Sequence, residues 1–345
     1  MLSGIETVLA YEDDVKKAMA LSMIPLDDLE KEVKELMFEK EKNQTLAYKD
    51  ALVVVALKWF KHKFFKWCDK PMCMLCHETG ENISTLGMAP PNEEEKKHWA
   101  SRVEVYICSS CNVQIRFPRY NDPLFLCQST RIGRCGEFAN CFTFLLRALS
   151  YEVRYIMDFT DHVWTEYWSE NQNRWIHCDS CEASHDEPRL YAEGWKKKLS
   201  YVLAFSIDGV ADVSLRYQKL DEEAIERRKN VVYNCVFIPE VMKSLTTQLR
   251  QALSESRRET LEKRDANEQK ELTMLDEIDV INKQKRLPGR STGSLEWRKA
   301  RGELGDELSK DVNVVDERER IKNEFFLRRN GVSLHEAAKR AGKKK

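Results

Sequence analysis

The sequence predicts an α+β fold, in which helical N- and C-terminal regions flank a core of one helix and several short strands, with a zinc-binding subdomain ahead of that core. Three observations carry this reading. Apolar residues recur at helical spacing near both ends; two Cys-x-x-Cys pairs stand between Met72 and Asn112; and from Gly133 to about Tyr217 a strong amphipathic helix gives way to period-two alternation.

The chain has 345 residues and a formal net charge of -1, enough for one large domain or two and without the basic balance that marks a nucleic-acid binder. No basic patch leads into an apolar core at the N-terminus, and no run reaches the ~18 apolar residues that would span a bilayer, so neither signal peptide nor membrane insertion is expected. The protein is expected in the cytoplasm, with the nucleus also admissible. In a reducing compartment, eleven cysteines point to metal binding, catalysis or packing rather than to disulfides.

In order, residues 1–70 read as an N-terminal helical region, with the capped stretch "PLDDLEKEVKELM" and the apolar run "ALVVVALKWFKHKFFKW", which needs burial. Residues 71–120 form the zinc-binding subdomain, and 121–220 hold the chemistry. Residues 221–305 are again helical, with Leu245, Leu249 and Leu253 on one face, followed by the breaker-rich joint "RLPGRSTGSLEWRKARGE". The charged segment 306–345 is expected to be a mobile tail.

Cys73 and Cys76 in "CMLC", with Cys108 and Cys111 in "CSSC", supply the metal signal. Each pair brings two thiolates to one ion from a single turn, and two pairs complete a closed tetrahedral zinc site with no position left for reactive water. His77 is a bystander by this reading, and Cys178 with Cys181 has the same spacing but no second pair.

Cys135 sits between Gly133 and Gly136, just ahead of a helix whose Phe138, Phe142 and Leu145 share one face with Cys141 close by. Unpaired N–H groups and the dipole at a helix start stabilise a thiolate, and the glycines permit a tight turn. A base is needed to distinguish a nucleophile from an inert capping cysteine. "DFTDHVWTEYW" and "NRWIHCDSCE" read as a hairpin across "SENQN", placing His162, Trp164, Glu166 and Trp168 on one face and Trp175, His177 and Asp179 on one face. If the Cys135 helix packs on that face, His162 can take the thiol proton and Asp179 can hold the imidazole. Spacing alone also admits His177 as base and Asp158 or Asp161 as the orienting acid.

Taken together, "GRCGEFANCF", "DFTDHVWTEYW", "RWIHCDSCE" and "GWKKKLSYVLAFSIDGVADVSLRY" resemble the cytosolic peptide:N-glycanase family, with weaker similarity from "VLAYEDD" to "GSLEWRKARGE". The resemblance implies a transglutaminase-like core related to papain-like cysteine proteases, a structural zinc ion on Cys73, Cys76, Cys108 and Cys111, and a triad of nucleophile Cys135, base His162 and orienting acid Asp179. It implies that Trp164, Trp175 and Glu182 line a glycan cleft, with Trp67, Glu166 and Trp195 as further candidates. The family's usual tryptophan after "GRCGE" is Phe138 here, which keeps an aromatic helix face.

The implied reaction is hydrolysis of the amide between an N-linked glycan and an asparagine side chain of denatured glycoproteins in endoplasmic-reticulum-associated degradation. A backbone N–H at the Cys135 helix start is one oxyanion donor; Gln128, at a different offset from a papain-type glutamine, reads as a surface residue. The module that docks on an AAA unfoldase in larger members and their C-terminal sugar-binding sandwich are expected to be absent. The leucine-faced helix and the N-terminal helices resemble surfaces that bind ubiquitin-receptor shuttle proteins, although core packing explains the leucines equally. A transglutaminase-type acyl transferase and a non-enzymatic adaptor of the same fold are the alternatives.

Overall fold

The computed structural model describes residues 1–40, 46–231, 237–278 and 287–306. Helices α1 (Leu2–Leu9) and α2 (Asp14–Leu21) bury one side each, and the Asp13 carboxylate caps α2 by accepting the Lys16 N–H. Helices α3 (Leu26–Lys40) and α4 (Tyr48–Trp59) pack on one another. Because α4 is apolar almost all round, it must be covered on nearly every side, and eight of its residues are buried. A wider helical turn over 60–64 then sets Phe60 against Phe138 and Phe142, with ring centroids 5.7 and 5.2 Å away.

The chain leaves helix at Phe64, within the region 1–70 read as helical. Strand β1 (Lys66–Trp67) precedes β2 (Ile83–Ala89), α5 (Glu93–Lys97), β3 (Val103–Cys108) and β4 (Gln114–Pro118). Strands β2, β3 and β4 form an antiparallel sheet in that order, in which Ile83 pairs with Cys108, so β2 and β3 join the two cysteine pairs. After α6 (Pro123–Phe125), strand β5 (Ile132–Gly133) pairs in parallel with β1, opposing Trp67 and Gly133, and helix α7 (Cys135–Ala148) follows directly.

Strands β6 (Val153–Asp158), β7 (His162–Ser169), β8 (Arg174–Asp179), β9 (Ser184–His185), β10 (Val202–Ser206) and β11 (Gly209–Asp212) form one antiparallel sheet, ordered β11-β10-β6-β7-β8-β9. The hairpin read from "SENQN" is present between β7 and β8, with Asn173 at φ 51° in its turn. One face carries Tyr155, Tyr167, Ile176, Cys178, Leu203 and Phe205 into the main core with α7, and the Thr143 and Thr165 hydroxyls meet across that contact at 2.7 Å. The other face packs Ile156, Trp164, Val202 and Ala204 against Tyr191, Trp195 and Tyr217.

Helices α8 (Ser214–Tyr217), α9 (Glu222–Val231), α10 (Phe237–Arg250) and α11 (Glu255–Ile278) follow, and a final strap over 287–306 contains α12 (Leu295–Ala300). The leucine-faced segment is two helices rather than one: α10 ends at Arg250, and the Ser254 hydroxyl accepts the Arg257 N–H at the start of α11. Leu245 and Leu249 pack against the main core, while Leu253 lies in the turn between the helices. That helix face is therefore a core contact. Among the described residues, no helix is long and apolar enough to cross a membrane. The tail expected over 306–345 lies, apart from Asp306, outside the described residues.

Candidate active site

The site is built where the N-terminus of α7 meets the start of β7. Gly133 precedes the turn because no larger residue fits: a Cβ there would lie 2.4 Å from the Glu137 Cβ. Gly136 is different, since its nearest neighbour is Arg119 Nη2 at 3.9 Å and space is open. Glu137 fixes the helix start by accepting the Arg134 N–H at 2.9 Å and pairing with Arg119 at 2.5 and 2.7 Å. Arg119 and Arg134 also pair with Glu104 on β3, tying the cysteine-rich subdomain to the turn that carries Cys135.

His162, the first residue of β7, places Nε2 2.8 Å from Asp179 Oδ2. The two lie diagonally across the β7–β8 pair, as alternation predicts. Asp179 Oδ2 also accepts the Tyr191 hydroxyl at 3.0 Å, while Oδ1 accepts the N–H groups of Cys181 and Glu182 at 2.8 and 3.3 Å. A carboxylate held by four donors cannot easily rotate. His162 Nδ1 is buried without a completed hydrogen bond, and Cys135 interacts with the ring from the helix side.

The expectation that the Cys135 helix packs on the histidine-bearing face is corrected. Helix α7 covers the opposite face, and only because His162 begins its strand can thiol and imidazole meet around the end of the sheet. The alternatives also separate. His177 Nε2 donates to Tyr191 at 2.7 Å and Nδ1 accepts the Glu187 N–H at 3.3 Å, so neither nitrogen is available as a base, and burial lowers its pKa to about 4. Asp158 is taken by Lys197 and Thr160, and Asp161 by Arg301.

Burial by itself disfavours a thiolate at Cys135, but the neighbouring His162 imidazole and the charge of Arg290 bring its pKa below the ordinary thiol value. Burial likewise opposes the imidazolium of His162, which Asp179 outweighs through charge and hydrogen bond, so its pKa rises. Burial would raise Asp179, yet His162 holds it well below the usual carboxylate range. The Cys135 and His162 shifts both run toward an ion pair, thiolate with imidazolium.

The aromatic residues are arranged differently from the expected cleft. Trp164 is fully buried, stacked on Tyr191 at 4.2 Å, and Trp175 lies under Arg154 at 3.8 Å beside Trp168. Both are buried on the sheet face covered by Tyr191, Tyr217 and Arg154, with Trp175 bordering a cavity on that side. Glu166 is fully buried and bound to Arg154, Arg216 and Tyr217, and Trp195 is buried 5.0 Å from His162. Trp67 is half-buried and meets Trp297 at 5.7 Å. Both Glu182 oxygens are occupied by Ser291 and Thr292 of the strap. Gln128 is exposed. An open groove of about 600 Å³ runs beside Trp297, bounded by Asp69, Met88, Tyr106 and Arg134.

Sequence reasoning missed Tyr191 and the strap with Arg290, Trp297 and Glu303. The signal was present in the joint, where tryptophan and paired charges stand among the glycines of what reads as a breaker-rich connection.

Cys73, Cys76, Cys108 and Cys111 place their sulfurs within 4.8 Å of one another, with the closest approaches at 3.4 and 3.5 Å. A tetrahedron with metal–sulfur bonds of about 2.3 Å needs edges of about 3.8 Å, so the four sulfurs fit one metal ion. His77 is exposed and only closes the turn, its N–H donating to the Cys73 carbonyl. Cys178 and Cys181 are buried in the main core, apart from this cluster.

Comparison with known proteins matches residues 88–180 to the Transglutaminase-like superfamily and 157–273 to the Rad4 transglutaminase-like domain. Solved Rad4–Rad23 bound to a 6-4 photoproduct UV lesion is 17% identical, with a TM-score of 0.48, covering 82% of this chain and 57% of that one. The peptide-N(4)-(N-acetyl-beta-glucosaminyl)asparagine amidase of Mus musculus is 41% identical over 333 residues, 94% of this chain and 49% of the relative. The chain thus spans about half the length of that relative. The amidase of Yarrowia lipolytica is 40% identical over 303 residues, 86% of this chain and 82% of the relative, and that of Saccharomyces cerevisiae is 40% identical over 307 residues with the same coverage. With a transglutaminase-like fold and this identity along nearly its whole length, the chain belongs to the peptide-N(4)-(N-acetyl-beta-glucosaminyl)asparagine amidase family.

Proposed function

We propose that the chain is a peptide:N-glycanase, hydrolysing the amide between an N-linked glycan and asparagine on denatured glycoproteins. The observation that carries this reading is the set Cys135, His162 and Asp179 at the junction of α7 and β7, in a chain of that family. Cys135 attacks the side-chain carbonyl, first-turn N–H groups of α7 stabilise the oxyanion, and His162 protonates the departing glycosylamine. Water, deprotonated by His162, then cleaves the thioester to aspartate. The groove lined by Trp297 and Arg134, the residue directly before Cys135, is where an extended glycopeptide would lie. Incubating a denatured N-glycoprotein with the chain and following both products by mass spectrometry tests this: intact free glycan with Asn-to-Asp conversion is expected. Transfer of the acyl group to an added amine without glycan release would mark a transglutaminase, and no reaction by the folded protein an adaptor.

We assign one zinc ion to the four clustered cysteines, with 71–120 as a metal-stabilised subdomain, 121–220 as the catalytic core between the helical regions 1–70 and 221–305, and 306–345 as a charged tail. Bound there, the ion supplies folding energy to the subdomain whose Glu104 steadies the turn before Cys135. Elemental analysis is expected to give one zinc per chain, and strong chelation to abolish the melting transition together with glycan release. A chelated chain that keeps its transition contradicts a structural metal. For a ubiquitin-receptor shuttle protein, exposed Leu2, Leu9, Val15 and Met19 on the N-terminal helices offer an apolar surface, whereas Leu245 and Leu249 are committed to the core. The substrate context would be degradation of misfolded glycoproteins from the endoplasmic reticulum, met in the cytoplasm.

A further inference from the structure

The strap over 287–306 is fastened around the reaction centre on several sides. Ser291 and Thr292 donate to Glu182, the Ser294 N–H donates to Asp69 at 3.0 Å, and Arg301 donates to Asp161 at 2.7 Å, so the strap is tied beside Asp179, Trp67 and His162. Its backbone sits tightly enough that a Cβ at Gly289 would lie 2.3 Å from the Leu304 carbonyl oxygen.

This path carries Arg290 inward. The residue is 0% exposed, and its guanidinium lies 4.5, 4.6 and 5.5 Å from the rings of Trp297, Trp195 and Trp67. Trp195 in turn stands 5.0 Å from the His162 ring, and Trp67 stands 5.9 Å from Phe138 in the first turn of α7. Nη1 donates to Glu303 at 2.7 Å and Nε to Thr292 at 3.3 Å, but Nη2 is buried with no acceptor. A buried cation with an unused N–H is costly unless something negative compensates it. Glu303 does so in part; after the opposing effect of burial, Cys135 is the foremost charge acting on Arg290.

We propose that Arg290 is a positioning residue of this centre: clamped by the strap among three tryptophans, its guanidinium stabilises the Cys135 sulfur as a thiolate. The inference rests on the reading of Cys135 as nucleophile. The other titratable groups facing the pair are Asp179 and Tyr191 under the imidazole, Asp161 ahead of β7, and Cys181 and Tyr155 beside the thiol. Of the groups named, Arg290 is the positive charge other than the imidazolium itself. It favours thiolate and also lowers the proton affinity of His162, so its removal shifts both titrations to higher pH.

The test is the rate of Cys135 alkylation by iodoacetamide against pH, read by peptide mass spectrometry on the zinc-loaded full chain, with melting followed in parallel. In Arg290→Gln, both inflections are expected to move alkaline by about one pH unit, cutting Cys135 reactivity about 10-fold on the acid limb, whereas Arg290→Lys stays near the parent profile. A folded Arg290→Gln chain whose profile superimposes on the parent's overturns the inference and leaves the nucleophile reading standing. A parent Cys135 that reacts only in the ordinary thiol range overturns both. Should Arg290→Gln fail to fold, Glu303→Gln reads the same field with opposite sign: with the guanidinium less neutralised, the profile moves acidic, and an unmoved profile overturns the inference.

Discussion

Glycan release is expected to vanish in Cys135→Ala and to fall about 10⁴-fold in Asp179→Asn, with both variants folded and zinc-loaded. The two losses have different causes. Without the Cys135 sulfur no thioester can form. In Asp179→Asn the nucleophile remains, but the amide cannot balance the imidazolium, and an NH₂ group set toward Nε2 would force the wrong tautomer. The Nε2–Asp179 contact of 2.8 Å leaves Nδ1 for the thiol, so reversing the tautomer turns Nδ1 from acceptor to donor. The pH dependence separates this from general damage. Asp179 raises the pKa of His162, so its loss removes imidazolium at lower pH, and the pH range over which Cys135 is alkylated as the ion pair should narrow from its alkaline side. Asp179→Asn with parental turnover would exclude Asp179 as the orienting acid.

Glu268→Ala is expected to cost about 3–5 kcal/mol of stability, because it strips a buried ion cluster of one partner. Glu268 on α11 accepts both ends of the Arg154 guanidinium at 2.7 and 2.6 Å and Arg216 at 2.9 Å, while Glu166 receives the same two arginines at 3.3 and 2.8 Å. Two buried positive charges then share Glu166, although Glu271 at 3.4 Å softens the loss for Arg216. Burial would raise the Glu268 carboxyl, but Arg154 and Arg216 bring it from 4.5 to about 2. A depressed carboxyl contributes stability above its unfolded pKa and loses it as pH falls through the folded one. The parent should therefore lose stability from about pH 5 down to about pH 2, and Glu268→Ala should lack that component. Denaturant unfolding across this range measures both effects. A cost under about 1 kcal/mol would mean that α11 is held by its apolar contacts alone.

Features that depend on short spacing are legible along the chain. Two Cys-x-x-Cys turns identified four sulfurs that converge, because each turn fixes its own pair and few geometries accommodate two. Period-two alternation across one hairpin put His162 and Asp179 on the same face, and the glycine turn placed Cys135 at a helix start. Which face of the sheet α7 covers is settled by packing, since alternation sorts residues into two sets without saying what packs on either. For Trp164 and Trp175, which the resemblance implies as cleft residues, it was likewise the tertiary structure that set the neighbours, Tyr191 and Tyr217 for one and Arg154 for the other. His177 and His162 look equivalent along their strands; they differ because Tyr191 and the Glu187 N–H occupy both nitrogens of one, and those partners arrive from beyond the hairpin. Arg290 lies furthest from local reasoning. Its place among Trp195, Trp67 and Trp297 is set by a strap returning from the far end of the described chain, and no periodicity encodes where a returning segment comes to rest.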